Sequence, residues 1–232
     1  MTALIFDCDG VLVDSEALAE GTLAEHLGRW LPDIDVEQSL GQALGMTTAN
    51  ILRHAEQLSV YPLPANAAER VDTAIEARLA RELIAIDGAE AAVRALTLPK
   101  AVVSNSRRCR VLASLAGTGL DAALGDVPIF TAEQVDQPKP DPALYQLAAE
   151  TMGEAPHDCL VVEDSVAGVT AATAAGMWVI GFVGASHVDD GQSERLRKAG
   201  AWRILPHMKG LNDLVSEWQD LAHNGGRHEA NQ

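Results

Sequence analysis

The hydrophobic pattern of this chain changes character twice. Residues 2–6 form a short unbroken apolar run, read as a buried strand. From Glu16 to about Glu82 the apolar positions recur every three or four residues, the spacing of amphipathic helices. Leu18, Leu23 and Leu27 mark a helix over 16–30, and Pro32-Asp33 breaks it. Two more helices are expected over 36–44 and 47–58, with Gly45 as the stop and Thr47 or Thr48 as the cap. After Pro62 and Pro64, Val71, Ile75, Leu79 and Leu83 share one face of a helix over about 65–83. This stretch is a small block of four helices.

Asp87-Gly88 marks the second change. Beyond it, short apolar runs at 100–103, 127–130, 159–162, 178–182 and 202–205 read as strands. Helical stretches follow them at 107–116, 141–152, 166–175, 194–199 and 211–222. Strands alternating with helices predict an α/β fold, a parallel sheet covered on both faces. The strand at 2–6 belongs with the later ones, so the helical block is an insertion after strand one. The expected division is an α/β core of 1–15 and 88–232 and a helical domain of 16–87. Residues 224–232 are polar and read as a frayed tail.

Composition narrows the partners. Only 4% of the 232 residues are aromatic against 47% hydrophobic, so Ala, Leu and Val must fill most of the interior. A net charge of −16 argues against a nucleic-acid or anionic-membrane binder, because both require a basic surface. A small anionic substrate stays compatible, since local cations can reverse the field within a cleft. Cys8, Cys109 and Cys159 are odd in number and widely spaced, which speaks against a disulfide framework or a zinc site. The start lacks a signal-like stretch and no run reaches membrane-spanning length, so a cytoplasmic protein is expected.

The chemistry lies at the strand ends, where open parallel sheets bind ligands. Strand one ends in Asp7-Cys8-Asp9-Gly10, two carboxylates that alternation places on one side of an extended chain, with Cys8 turned away. Such a pair needs a cation, a proton or hydrogen bonds to offset repulsion, and two acids can divide attack from proton transfer. The strand at 100–103 ends in Ser104-Asn105-Ser106, and the strand at 159–162 ends in Glu163-Asp164-Ser165. Lys139 sits in Pro138-Lys139-Pro140-Asp141-Pro142, just before a helix. Each segment alone has a plainer reading: an Asx turn at Asp9-Gly10, helix caps at Ser104 or Asp141, a solvated lysine, an ordinary helix start at 163–165. Together they suit a phosphate held by a hydroxyl and a helix start, a lysine against the charges, and a hard cation such as Mg²⁺ on Asp7 and the acids at 163–164.

The ordered set of Asp7-Cys8-Asp9-Gly10-Val11, Ser104, Lys139-Pro140-Asp141-Pro142 and Val162-Glu163-Asp164-Ser165-Val166-Ala167-Gly168 resembles the four motifs of the haloacid dehalogenase-like phosphohydrolases. The likeness covers nearly the whole chain and is to the subgroup with a helical cap after strand one. It implies a three-layer Rossmann-like core with an inserted four-helix cap. It implies that Asp7 attacks phosphorus, forming an aspartyl-phosphate, and that Asp9 is the acid and base. Lys139 would orient Asp7. Ser104, Asn105 and Gly10 would bind the phosphoryl group. Mg²⁺ would be held by the Asp7 carboxylate, the Asp9 main-chain carbonyl and Asp164, with Glu163 assisting.

Asp9 separates this chain from true dehalogenases, which lack an acid two residues on. The cap stretch contains no lysine, against phosphonate hydrolysis. A sugar-phosphate mutase of the β-phosphoglucomutase type is the nearer alternative. Its linker histidine and cap arginine are missing from Ser15-Glu16-Ala17-Leu18-Ala19-Glu20 and from Gly41-Gln42-Ala43-Leu44-Gly45-Met46-Thr47-Thr48. The expectation is therefore a Mg²⁺-dependent phosphatase for a small phosphorylated metabolite, most like those acting on sugar phosphates such as phosphogluconate. A non-catalytic phosphometabolite binder is a further alternative. Met46, Thr47 and Thr48 are candidate substrate contacts from the cap, with Thr47 assigned to the site, and Arg107 and Arg108 are either substrate contacts or surface charges. A monomer is expected.

Overall fold

The computed structural model describes residues 2–42 and 48–225. In chain order the elements are β1 (Ala3–Phe6), α1 (Glu16–Trp30), α2 (Val36–Gln42), α3 (Thr48–Leu58), α4 (Ala67–Glu82), α5 (Ala89–Ala95), β2 (Lys100–Ser104), α6 (Arg108–Thr118), α7 (Asp121–Leu124), β3 (Ile129–Thr131), α8 (Ala143–Met152), β4 (Cys159–Glu163), α9 (Val166–Ala174), β5 (Trp178–Phe182), α10 (Gln192–Ala199), β6 (Arg203–Leu205) and α11 (Leu211–Gly225). They divide into two compact units, Met1–Asp14 with Ile84–Gln232, and Ser15–Leu83. No helix among the described residues is long and apolar enough to cross a membrane.

The larger unit is built on six strands in the order β3-β2-β1-β4-β5-β6, every neighbouring pair parallel. Parallel strands with helices on both faces must be apolar on both sides, and β1 and β4 are buried along their whole length. Ala3 and Ile5 join Leu144, Ala148, Val169, Ala172 and Leu196 in a core that ties α8, α9 and α10 to one face. Leu4 and Phe6, one residue out of phase, are equally buried. Each such side chain contributes roughly 1.5–3 kcal/mol by leaving water.

The strand order runs outward from β1 through β2 to β3, then restarts on the other side at β4. That reversal opens a crevice beyond the carboxyl ends of β1 and β4, the place where sheets of this kind take ligands. Register fixes which residues face it: Phe6 pairs with Val102 on one side and Val162 on the other. Asp7, Ser104 and Glu163-Asp164 thus all come to the same edge.

The chain leaves this unit and returns to it through one short antiparallel contact. Val13 bridges to Ala85, the Asp14 N–H donates to the Ile84 carbonyl (3.0 Å), and the Ile86 N–H donates to Leu12 (2.9 Å). The smaller unit, α1–α4, closes around Leu23, Leu27, Leu31, Leu52, Ala55, Val71, Ile75 and Leu79. On its surface Arg78 bridges Glu25 on α1 and Glu82 on α4. The Asp33 carboxylate takes the Ser59 hydroxyl and the Val60 N–H, which orders the turn after α3.

The structure adds two short helices that the pattern does not announce, α5 and α7. Both are brief and alanine-rich, so neither shows enough apolar periodicity to stand out. The expected helix over 36–44 is described as far as Gln42, and Gly45, Met46 and Thr47 lie outside the described residues, as does most of the 224–232 tail.

Candidate active site

Asp7 leaves the end of β1 with its N–H donated to the Val162 carbonyl (3.0 Å), so its side chain enters the crevice from a fixed backbone. The chain then turns sharply, with the Leu12 and Val13 N–H groups both donating to the Cys8 carbonyl. Gly10 sits in this turn at φ 77°, and a Cβ there would collide with the Asp164 carboxylate. Its N–H donates to the Val13 carbonyl (2.8 Å). Gly10 is therefore not the phosphate donor it was expected to be; its part is to leave room for Asp164.

Lys139 is the most constrained group in the site. Its Nζ donates to Asp7 Oδ1 (2.6 Å), Glu163 Oε1 (2.7 Å) and the Val103 carbonyl (2.9 Å), which uses all three ammonium hydrogens. The charge also stands 5.0 Å from the centre of the Tyr145 ring. Lys139 is held in turn by Asn105, in a reciprocal pair. The Asn105 amide nitrogen donates to the Lys139 carbonyl, and its oxygen accepts the Lys139 N–H, both at 3.0 Å. The Asn105 side chain thus fastens Lys139 instead of reaching for phosphate. The peptide bond that follows, Lys139–Pro140, is cis.

Glu163 also departs from expectation. Its Oε1 accepts from Lys139 and the Tyr145 hydroxyl (3.3 Å), and its Oε2 accepts from the Ser165 N–H (2.9 Å) and hydroxyl (3.0 Å). Four donors occupy the carboxylate's four lone-pair positions, leaving none for a metal. Glu163 is a partner of Lys139, not a metal ligand. Gly168 makes this possible, since a Cβ there would strike the Glu163 carboxylate. Ser165 caps α9 by accepting the Gly168 N–H (2.9 Å).

Asp9 has a different setting. Its Oδ2 accepts from the hydroxyls of Ser106 (2.7 Å) and Ser104 (3.3 Å), and its Oδ1 lies 3.7 Å from the Arg110 guanidinium on α6. Arg108, one of the arginines expected near substrate, is drawn to the sheet edge, where it donates to the Ile129 carbonyl; Arg107 is exposed. Asp164 packs its carboxylate against Gly10, with His187 Nε2 at 3.5 Å, and its carbonyl accepts from Gln192.

Charge follows geometry. Burial pushes the Asp7 carboxyl well above the usual range, and the Lys139 ammonium opposes that shift. Burial alone would lower Lys139, but Asp7 and Glu163 on either side more than offset it and hold the ammonium protonated. Burial, then the nearby Asp9 and Asp7, raises the Cys8 thiol, which leaves it an inert spacer.

The donors suit a hard cation. Asp7 and Asp164 emerge at the ends of adjacent strands, the cleared space at Gly10 lies beside Asp164, and every group on offer is oxygen. Among the described residues no set of three or more His, Cys, Asp or Glu side chains is arranged around a metal position. The fit is thus to two carboxylates supplemented by main-chain oxygen.

Comparison with known proteins gives the family. Residues 1–176 match the profile of the haloacid dehalogenase-like hydrolases. The chain is 33% identical to the 6-phosphogluconate phosphatase of Escherichia coli over 186 residues, 80% of this chain and 84% of that one. It is 34% identical to hexitol phosphatase A of the same organism over 180 residues, 76% and 80%. A haloacid dehalogenase-like protein from Agrobacterium tumefaciens superposes with a TM-score of 0.85 at 36% identity, over 94% of this chain and 98% of that one. A family hydrolase from Deinococcus radiodurans, solved with phosphate and sodium, gives 0.79 at 30%, over 94% and 96%. The chain belongs to the haloacid dehalogenase-like hydrolases, and within that family it is a phosphatase-type enzyme.

Proposed function

We propose that the protein hydrolyses a small phosphorylated carbohydrate through an aspartyl-phosphate on Asp7. The observation that carries this reading is the opposed setting of two carboxylates on one turn. Asp7 is buried against a protonated lysine, whereas Asp9 is held by hydroxyls and a guanidinium at the rim. The Lys139 ammonium against Asp7 favours the ionised form that must attack, and Asp9, two residues on, offers a second carboxyl for proton transfer.

In the first half-reaction an Asp7 oxygen attacks phosphorus. The bond from phosphorus to the leaving oxygen breaks, its electrons stay on that oxygen, and the Asp9 carboxyl supplies the proton. In the second half a water attacks the same phosphorus. Asp9, now a carboxylate, takes the water's proton, and the Asp7–phosphorus bond breaks with its electrons returning to Asp7. Lys139 keeps Asp7 oriented and offsets charge on the phosphoryl oxygens. Ser104, whose hydroxyl has only a long contact to Asp9, would turn that hydroxyl to the phosphoryl group. Asp7, Asp164 and the Asp9 carbonyl would hold Mg²⁺, which when bound screens the phosphoryl oxygens and lowers the repulsion felt by the attacking carboxylate. The substrate class rests on relatives named for 6-phosphogluconate and hexitol phosphates.

The test is release of inorganic phosphate from a panel of hexose phosphates, hexitol phosphates, phosphogluconate, phosphoglycolate and nucleotides, with Mg²⁺ and with chelator. Metal-dependent release that disappears in Asp7→Asn is the expected result. Full activity in Asp7→Asn would overturn the covalent route. Isomerisation of β-glucose 1-phosphate without phosphate release would assign a mutase.

A further inference from the structure

We propose that Ser106 and Arg110 are positioning residues for Asp9, fixing its carboxyl for delivery of the proton to the leaving oxygen. The proposal rests on the acid–base reading of Asp9 given above. It comes from how the segment after β2 divides its side chains.

Ser104, Asn105 and Ser106 alternate. The two serines turn to Asp9 and the asparagine between them turns to Lys139. The two serine contacts are unequal. Ser106 Oγ is 2.7 Å from Asp9 Oδ2, while Ser104 Oγ is 3.3 Å away and also accepts the Ser106 N–H (3.0 Å). Short contacts between a hydroxyl and a carboxylate are the stronger ones, so Ser106 is the better anchor of that oxygen. Ser104 is left with the weaker contact and the freedom to turn toward phosphate. Arg110 reaches the other oxygen, Oδ1, from the first turn of α6 at 3.7 Å.

This division has a chemical reason. A carboxyl that gives up a proton in one half-reaction and takes one in the next must keep its place in both forms. A hydroxyl both donates and accepts, so the Ser106 contact survives either form. The guanidinium beside Oδ1 hinders the carboxyl from turning about its own axis while Ser106 holds Oδ2.

The leaving group provides the readout. An alkyl oxygen needs its proton as the bond breaks, whereas a nitrophenolate leaves readily without one. We would measure kcat/KM for p-nitrophenyl phosphate, phenyl phosphate and glucose 6-phosphate with Mg²⁺, because that ratio reports the step in which the leaving group departs. Ser106→Ala and Arg110→Met should each lose about tenfold or more on the sugar ester and less than about threefold on the nitrophenyl ester. Ser106→Thr, which keeps the hydroxyl, should restore the sugar-ester rate. A comparable loss on all three esters, or a loss confined to KM, would overturn the proposal. Asp9→Asn is run beside them. If it too shows no leaving-group selectivity, the acid–base reading falls with the proposal; if it shows selectivity and the other two do not, the proposal alone falls.

Discussion

Lys139 Nζ lies 2.7 Å from Glu163 Oε1, with the two side chains only 3% and 1% exposed. On its other side the same ammonium lies 2.6 Å from Asp7. One buried cation thus separates Asp7 from a second carboxylate that would otherwise repel it. The spacing of three distant segments, at residues 7, 139 and 163, is set by this one charge.

Lys139→Ala should therefore damage both fold and reaction. It leaves two buried carboxylates facing each other, and breaking a buried pair in this way costs about 3–5 kcal/mol. Urea unfolding should record that loss, and phosphate release should fall by about 10³-fold or more. Because the folded pKa of Lys139 is raised, the stability that its ammonium contributes should be complete below the ordinary lysine value of 10.5 and decline only as pH climbs above it. Unfolding midpoints that fall between about pH 6 and 9 in the wild type but not in Lys139→Met would contradict that sign.

Two glycines should separate metal binding from lysine positioning. Gly10→Ala forces a side chain onto the Asp164 carboxylate at a backbone angle that favours glycine. Mg²⁺ affinity, read by titration calorimetry, should weaken about 10–100-fold. Gly168→Ala instead presses on Glu163 and should lower the melting temperature, with a smaller effect on Mg²⁺ affinity.

Asn105→Ala removes both hydrogen bonds to the Lys139 main chain. At about 0.5–1.5 kcal/mol each, the pair accounts for a loss near 1–3 kcal/mol in chemical unfolding. Turnover should drop as Lys139 loses its anchor, even though the Asn105 side chain touches no phosphate in this reading. An Asn105→Ala variant with native stability would remove the anchoring role.

The three cysteines should react unequally. Burial raises the Cys159 thiol to about 11, with Glu154 and Asp158 adding to the shift. Cys8 is raised as well and fully buried, and Cys109 is exposed. A thiol whose pKa is raised stays protonated at neutral pH and is a poor nucleophile. Iodoacetamide at about pH 8 should modify Cys109 alone in the native protein and all three after unfolding, as mass spectrometry of peptides would show.

Much of this architecture is legible in the chain because parallel strands buried on both faces write themselves as apolar runs that end in polar residues. Asp7, Ser104 and Asp164 could be placed from those endings alone. Lys139 needed its surrounding prolines and the family likeness, since nothing local says that its side chain turns inward. Glu163 and Asp164 look alike as neighbouring acids in a sequence; what separates them is that Glu163 meets Lys139 and Tyr145 while Asp164 packs against Gly10, contacts that only the fold brings about. Ser106, two residues after Ser104, joins it at Asp9 beyond the end of β2, where no strand pattern announces it. Tyr145 reads as one more apolar position of α8, and its hydroxyl contact with Glu163 depends on a distant strand. His187, in the loop after β5, and Gln192, at the start of α10, come to Asp164 from a stretch whose local pattern gives no sign of that destination.

The contact that joins residues 12–14 to residues 84–86 carries a consequence for how such a protein can diversify. Entry and exit of the inserted helices are stitched side by side, so the seam itself asks of an insert only that its two ends meet there. Any segment whose ends do so would satisfy the seam. The sheet can stay under selection for its own residues while the inserted segment is exchanged, lengthened or reshaped. Replacing Ser15–Leu83 with a short Gly-Asn turn should yield a core that keeps its sheet, and circular dichroism with proteolysis would show whether the seam alone suffices.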